Sequence, residues 1–281
     1  MQNIDKNKIK EALQNYCERY GSQNKAASSM SGVSSATVSQ ILNDNWELVN
    51  DKMWMNIASQ IGYKNDEWVV VETRDFKMMT DLLNDSKQFH VVSAIVGDAG
   101  IGKTEAIKHF MFNNKNAIVL NCKEYWNRKL FLCELLQQLG RDSSGLNVGE
   151  LMNEIIRALK TTQNPIIIMD EADKLTDQVL YFFITLYNEL EDHCGIIMCA
   201  TDHLEKRIRK GLRLNRKGYK EIYSRIGKKF ISLRGVNTVD VQAICIANGV
   251  QDKKEIAKIT NECDGDLRRV KKMIHAYKRS L

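Results

Sequence analysis

The sequence predicts an α/β protein: a five-stranded parallel sheet with an all-helical segment before it and a small helical segment after it. Three observations carry this. Five short apolar runs alternate with helical patterns between residues 76 and 235: VVSAIV (91–96), AIVL (117–120), IIIMD (166–170), GIIMCA (195–200) and FISL (230–233). Strands buried on both faces have continuous apolar runs, and their alternation with helices implies βαβ units. Residues 238–280 hold three helical stretches and no strand pattern. Residues 1–62 are also helical, punctuated by Gly21, Gly32 and Gly62.

Composition sets the class. At 281 residues the chain has room for one large or two modest domains. Hydrophobic residues are 43% and charged residues 27%, the balance of a soluble globular protein. No run of about 18 apolar residues exists, so no membrane span is expected. The first residues lack the apolar core of a signal peptide. The seven cysteines form no CxxC pair, which points to reduced thiols in a cytoplasmic protein rather than a disulfide or zinc framework. The net charge of +6 is concentrated: residues 203–235 hold twelve Lys/Arg against Glu205 and Glu221. A local positive field of this kind favours phosphate-rich partners.

The first element is NKAASSMSGVSSATVSQILND (24–44), with a helix–turn–helix pattern. Ala26, Ala27 and Met30 make one apolar face, and Gly32 allows the sharp turn. Ser34 is a good N-cap for the second helix, which turns Val38, Ile41 and Leu42 inward. Its outer face offers Ser35, Thr37, Ser39 and Gln40 but no Arg or Lys, and residues 1–67 carry about as many acids as bases. Residues 63–75 have the pattern of a linker entering a short extended segment.

The first apolar strand runs into VGDAGIGKT (96–104). Gly97-x4-Gly102-Lys103-Thr104 is a complete Walker A pattern. The segment Gly97, Asp98, Ala99, Gly100, Ile101, Gly102, Lys103, Thr104 and Glu105 is therefore the candidate phosphate cradle. Its backbone N–H groups curl around the phosphates and the helix beginning near Lys103 points its positive end at them. Lys103 would bridge the β- and γ-phosphates of ATP, and Thr104 would ligate Mg²⁺. Pro165 stands just before the third run, where a proline opens a strand without removing a central ladder bond. That strand ends in Asp170-Glu171. Asp170 is placed to hold Mg²⁺ and Glu171 to orient or deprotonate the attacking water. The letters DEAD (170–173) spell a helicase motif, but such helicases need two RecA-like domains and only one P-loop core fits here.

The order Walker A, Walker B, a strand ending CATDH, then YSRIGKKF, then a helical tail with GDLRRV resembles the AAA+ ATPases over residues 76–281. The chain is expected to divide into a helix-turn-helix domain at 1–65, a nucleotide-binding core at 66–235 and a helical lid at 236–281. It implies Thr201 as the polar sensor 1 and Arg225 as the arginine finger, with Arg213 and Arg216 as competitors. It implies Arg268 as sensor 2, with Arg269 competing. The N-terminal pattern resembles the helix-turn-helix of lambda-repressor-like domains, although its turn is one residue longer than the tightest form.

A helix-turn-helix ahead of a compact AAA+ core looks like the MuB-type transposition regulators, related to TnsC and IstB proteins. The motifs that carry this are GDAGIGKT, IIIMDEADKL and GDLRRVKKMI, preceded by VETRDF, which adds Thr73 and Arg74 to the nucleotide site. The family implies ATP-dependent, largely non-specific binding of double-stranded DNA by a homo-oligomer, a filament or ring with nucleotide at its subunit interfaces. It also implies recruitment of a DDE transposase. In such an assembly Lys123, Arg128, Lys129 and Arg141 form one candidate DNA cluster and Arg207, Arg209 and Lys210 another, with Ser35, Thr37 and Gln40 on the N-terminal domain. Two alternatives stay open: a helicase loader or replication initiator on the same core, and a non-catalytic ATP-sensing transcription regulator.

Overall fold

The computed structural model describes residues 6–61 and 68–280. Gly62, the expected junction at 65–66 and the first part of the expected linker lie outside the described residues. The chain divides into two units, Met1–Val69 and Val70–Leu281.

In the first unit four α-helices, α1 (Lys6–Tyr20), α2 (Gln23–Ser28), α3 (Ser35–Leu42) and α4 (Asp51–Gln60), enclose one apolar core. Ala26, Ala27, Met30, Val38 and Ile41 are buried in it, while Leu42 is only half-buried. The turn between α2 and α3 needs a left-handed residue, and Gly32 supplies it with φ 71°. The Ser34 hydroxyl then caps α3, accepting from the Thr37 N–H at 3.0 Å. Trp54 is fully buried at the centre, and its truncation to alanine would cost about 3–5 kcal/mol.

The second unit opens with α5 (Arg74–Phe89), capped by the Thr73 hydroxyl. Residues 68–73, which lead into it, belong to no helix or strand. Five parallel strands follow, β1 (Val92–Val96), β2 (Ala117–Asn121), β3 (Ile166–Asp170), β4 (Gly195–Ala200) and β5 (Phe230–Ser232), in spatial order β2-β3-β4-β1-β5. The helices between them are α6 (Lys103–Asn113), α7 (Arg128–Gln138), α8 (Val148–Lys160), α9 (Asp177–Leu180), α10 (Phe182–Leu190), α11 (Asp202–Arg213) and α12 (Tyr219–Arg225).

Alternation along the strands sorts them between two cores. Ile95, Ile166, Ile168, Ile197 and Cys199 face α5 and α6. Ala94, Val96, Ile167, Met169, Ile196 and Met198 face α7, α8 and α10–α12. Both faces are covered, which is why the runs are unbroken in apolarity. The segment ends in α13 (Thr238–Ala247), α14 (Lys253–Glu262) and α15 (Leu267–Ser280). All seven cysteines are unpaired. Among the described residues no helix is long and apolar enough to cross a membrane.

Candidate nucleotide-binding site

In an open parallel sheet, functional groups gather beyond the carboxyl ends of the strands. Here β1 leads into the glycine loop, β3 into Glu171 and β4 into Thr201. β4 pairs with β3 on one side and with β1 on the other, which brings these three strand ends side by side.

The loop is built for close approach. Gly102 caps α6 with φ 101°, and Gly100 has φ 83°. A Cβ on Gly100 would collide with the Asp266 carboxylate, and Leu267 N–H donates to Gly100 O at 2.9 Å. The start of α15 is therefore docked on the loop, with Arg268 and Arg269 exposed in its first turn. The Lys103 side chain folds back into the loop, its ammonium donating to Gly97 O at 2.7 Å and Asp98 O at 2.8 Å. Burial lowers its pKa below the usual lysine value, against the pull of Asp170.

The Thr104 hydroxyl donates to Asp170 Oδ2 at 2.7 Å, joining residues 66 apart in sequence. Burial raises the Asp170 pKa, opposed by this hydrogen bond. A hard divalent cation with its oxygen ligands fits this pairing of a buried carboxylate with a solvent-facing hydroxyl. Glu171 sits in the left-handed region, φ 57°, an uncommon conformation for a residue with a side chain. Lys174 lies 2.6 Å from its carboxylate. The Thr201 hydroxyl donates to Asp173 Oδ2 at 2.8 Å.

Thr73 is buried and spends its hydroxyl on capping α5. Arg74 is half-exposed and reaches Gly235 O and Asp75. Buried Asp75 in turn accepts from Gly235 N–H at 2.7 Å, and Gly235 lies beside Ile101 of the loop. The start of α5 is thus tied to the back of the phosphate cradle. Asp98, Ala99 and Glu105 are exposed.

Arg225 is held on its own chain. Its Nη2 donates to Asn188 Oδ1 at 2.7 Å, Glu221 lies 3.7 Å away, and the guanidinium stacks over Tyr187. The competitors Arg213 and Arg216 are exposed.

The cationic clusters divide. Lys123, Lys129, Arg128 and Lys210 are exposed, with Arg128 lying over the Phe182 ring. Arg141 and Arg209 are exposed but paired with Glu154 and Glu205. Arg207 differs from these in being engaged within the fold. Its guanidinium is held by Asp177 and donates to Leu175 O at 2.6 Å and to the Tyr219 hydroxyl, so it locks α11 to the turn after β3. On α3, Ser35 is exposed, Thr37 shares a hydrogen bond with Ser34, and Ser39 accepts from Asn43. Gln40 is half-buried.

Sequence reasoning missed Asp75, Asp173, Lys174, Asp177 and Asp266. Four of these lie in or beside the motifs DEADKL and GDLRRV. Their partners lie up to 166 residues away, so spacing alone carries no signal for the contacts.

Residues 76–208 match the AAA domain family. The chain is 25% identical over 242 residues to the ATP-dependent target DNA activator B of Escherichia phage Mu, covering 80% of this chain and 73% of that protein. It is 25% identical over 248 residues to the Mu-like prophage FluMu DNA transposition protein B of Haemophilus influenzae, covering 84% of this chain and 85% of that protein. Among solved structures it is similar in fold to the Aeropyrum pernix ORC1 protein in complex with DNA, with a TM-score of 0.55 at 15% identity. That match covers 84% of this chain and 64% of the other.

Proposed function

From an AAA domain at residues 76–208 and homologues that include the phage target DNA activators, we propose that this chain is an ATP-hydrolysing, DNA-binding AAA+ protein of DNA transposition. It binds double-stranded target DNA as an ATP-dependent homo-oligomer, a filament or ring, and recruits and activates a DDE transposase. The observation that carries the proposal is the Thr104–Asp170 contact of 2.7 Å beside the buried Lys103 amine. A glycine turn without ATPase chemistry needs neither.

The roles follow from the groups. Lys103 supplies a point charge for the β- and γ-phosphates, and backbone N–H groups of residues 97–105 cradle them. Thr104 and Asp170 would hold Mg²⁺, with Thr73 and Arg74 bordering the cradle, and the ion would supply positive charge against the charge that develops on the phosphates. Glu171 orients water and accepts its proton. Thr201 and Arg268 add a donor and a charge on the same subunit, and Arg225 adds one to a neighbour's nucleotide once it leaves Asn188. Lys123, Arg128, Lys129, Arg141, Arg209 and Lys210 neutralise phosphates, with Ser35, Thr37 and Gln40 as lesser contacts of the first unit. Arg207 is removed from this set.

The test is duplex binding with and without ATP and Mg²⁺ across a salt series. If about six phosphates are contacted, affinity falls by orders of magnitude between 50 and 200 mM salt. Negative-stain images of long duplex should contain ATP-dependent filaments or rings. Preference for single strands would favour the loader reading, and tight binding to one operator the regulator reading.

A further inference from the structure

The loop between β2 and α7 holds a large aromatic in solvent. Tyr125 is 74% exposed, and Leu130 nearby is 44% exposed. The loop does not drift: Cys122 and Trp126 are buried on either side of the tip. Trp126 N–H donates to Lys123 O at 3.2 Å, closing a tight turn with Glu124 and Tyr125 at its centre. Cys122 N–H donates to Asp170 O at 2.9 Å, and Trp126 packs edge-on against Phe131. The turn is thus fastened to the end of the strand that carries Asp170. A ring fixed at the tip of such a turn is pre-organised to meet a partner.

Charge says what covers it. Lys123, Arg128 and Lys129 are all exposed within four residues of the ring, and Glu124 is the single acid between residues 121 and 133. Exposed cations on both sides of an exposed aromatic in the sequence match a phosphate backbone with a groove between its strands.

We propose that Tyr125 is a groove probe: its ring wedges against a base step of duplex DNA, while Lys123, Arg128 and Lys129 neutralise the flanking phosphates. This rests on the DNA-binding reading above and extends it, because none of the cations accounts for an aromatic at the tip. The contact is sequence-tolerant, since a wedge reads no hydrogen-bonding pattern on the bases. It gives the oligomer a grip that high salt weakens less than its phosphate contacts.

The experiment uses the full chain with ATP and Mg²⁺, and a duplex carrying 2-aminopurine at spaced positions. A ring wedged against a base step partly unstacks it, so emission rises on binding of the unmutated protein. Tyr125→Ser removes the rise and weakens binding about tenfold or more, with the salt dependence unchanged because no charge is lost. Tyr125→Phe keeps both signals. Equal affinity and emission in Tyr125→Ser overturns the proposal while leaving the DNA-binding reading intact. Loss of affinity that tracks loss of self-association without DNA also overturns it and assigns the ring to a second copy of this chain. Failure of the unmutated protein to bind duplex at all overturns the reading beneath it.

Discussion

Lys174 Nζ lies 2.6 Å from Glu171 Oε2, so the carboxylate proposed as general base is paired with a cation three residues downstream. The same hydrogen bond raises the Lys174 pKa. A carboxylate engaged by an ammonium is held away from other partners. An exposed pair of this kind is worth about 0.2–1 kcal/mol. Lys174→Met should therefore raise steady-state ATP hydrolysis up to about fivefold, with ATP affinity little changed. A fall in turnover would mean that Lys174 assists the reaction directly.

Asp170 gives a prediction with a sign. Burial raises its folded pKa above the ordinary Asp value of about 3.9. For a raised group, its stability contribution is fully present below the unfolded pKa and is lost as pH rises through the folded pKa. At neutral pH without metal the buried charge is thus a burden, which bound Mg²⁺ relieves. Asp170→Asn should melt higher than the unmutated protein without Mg²⁺ and gain little from MgATP. Thermal melts at pH 7 with and without MgATP decide it; a lower melting temperature for the metal-free variant would refute the argument.

Arg207 and Lys210 lie three residues apart on α11 and should separate cleanly. Arg207 bonds Asp177, Tyr219 and a backbone carbonyl, so Arg207→Ala should cost about 1–3 kcal/mol of stability. Lys210 is exposed, so Lys210→Ala should leave stability alone and lower the salt slope of DNA binding by about 0.9. Denaturant unfolding and salt titration of the two variants suffice. The reverse pattern would return Arg207 to the DNA surface.

What the sequence made legible follows physical range. All five strands lie within two residues of their apolar runs, because a strand buried on both faces leaves a local mark. Ser34 caps α3 as its side-chain chemistry required. The glycines of the phosphate loop were legible for the same reason: the turn itself demands them. Pairings that depend on tertiary approach were not. Asp75 with Gly235, Asp173 with Thr201 and Asp177 with Arg207 join distant segments, so Arg207 looked like any other cation in a basic stretch.

Arg225 is anchored to Asn188 and stacked on Tyr187. As a finger it acts on a neighbour's nucleotide, so Arg225→Ala should bind ATP normally and lose hydrolysis by 10³-fold or more, the order that an arginine finger supplies. Mixing it with Lys103→Ala subunits should partly restore turnover, because the two defects fall on opposite faces of one interface. No rescue at any ratio, with oligomers confirmed by light scattering, would move the finger to Arg213 or Arg216.

Glu171→Gln separates hydrolysis from binding. Asp170 and Thr104 remain to hold the metal, so ATP should still bind. The amide keeps the shape of the side chain but cannot accept the water's proton, and general-base catalysis contributes about 10²–10⁴-fold. The amide also loses the charge that pairs with Lys174, so Lys174→Met in the Glu171→Gln background should add nothing to turnover. If hydrolysis dismantles the DNA-bound oligomer, Glu171→Gln assemblies should outlast the unmutated ones after ATP is removed by a consuming enzyme. The measurement is duplex dissociation followed by fluorescence anisotropy. Equal off-rates would separate ATP turnover from release, and with it the cycle that a target-DNA activator driven by hydrolysis requires.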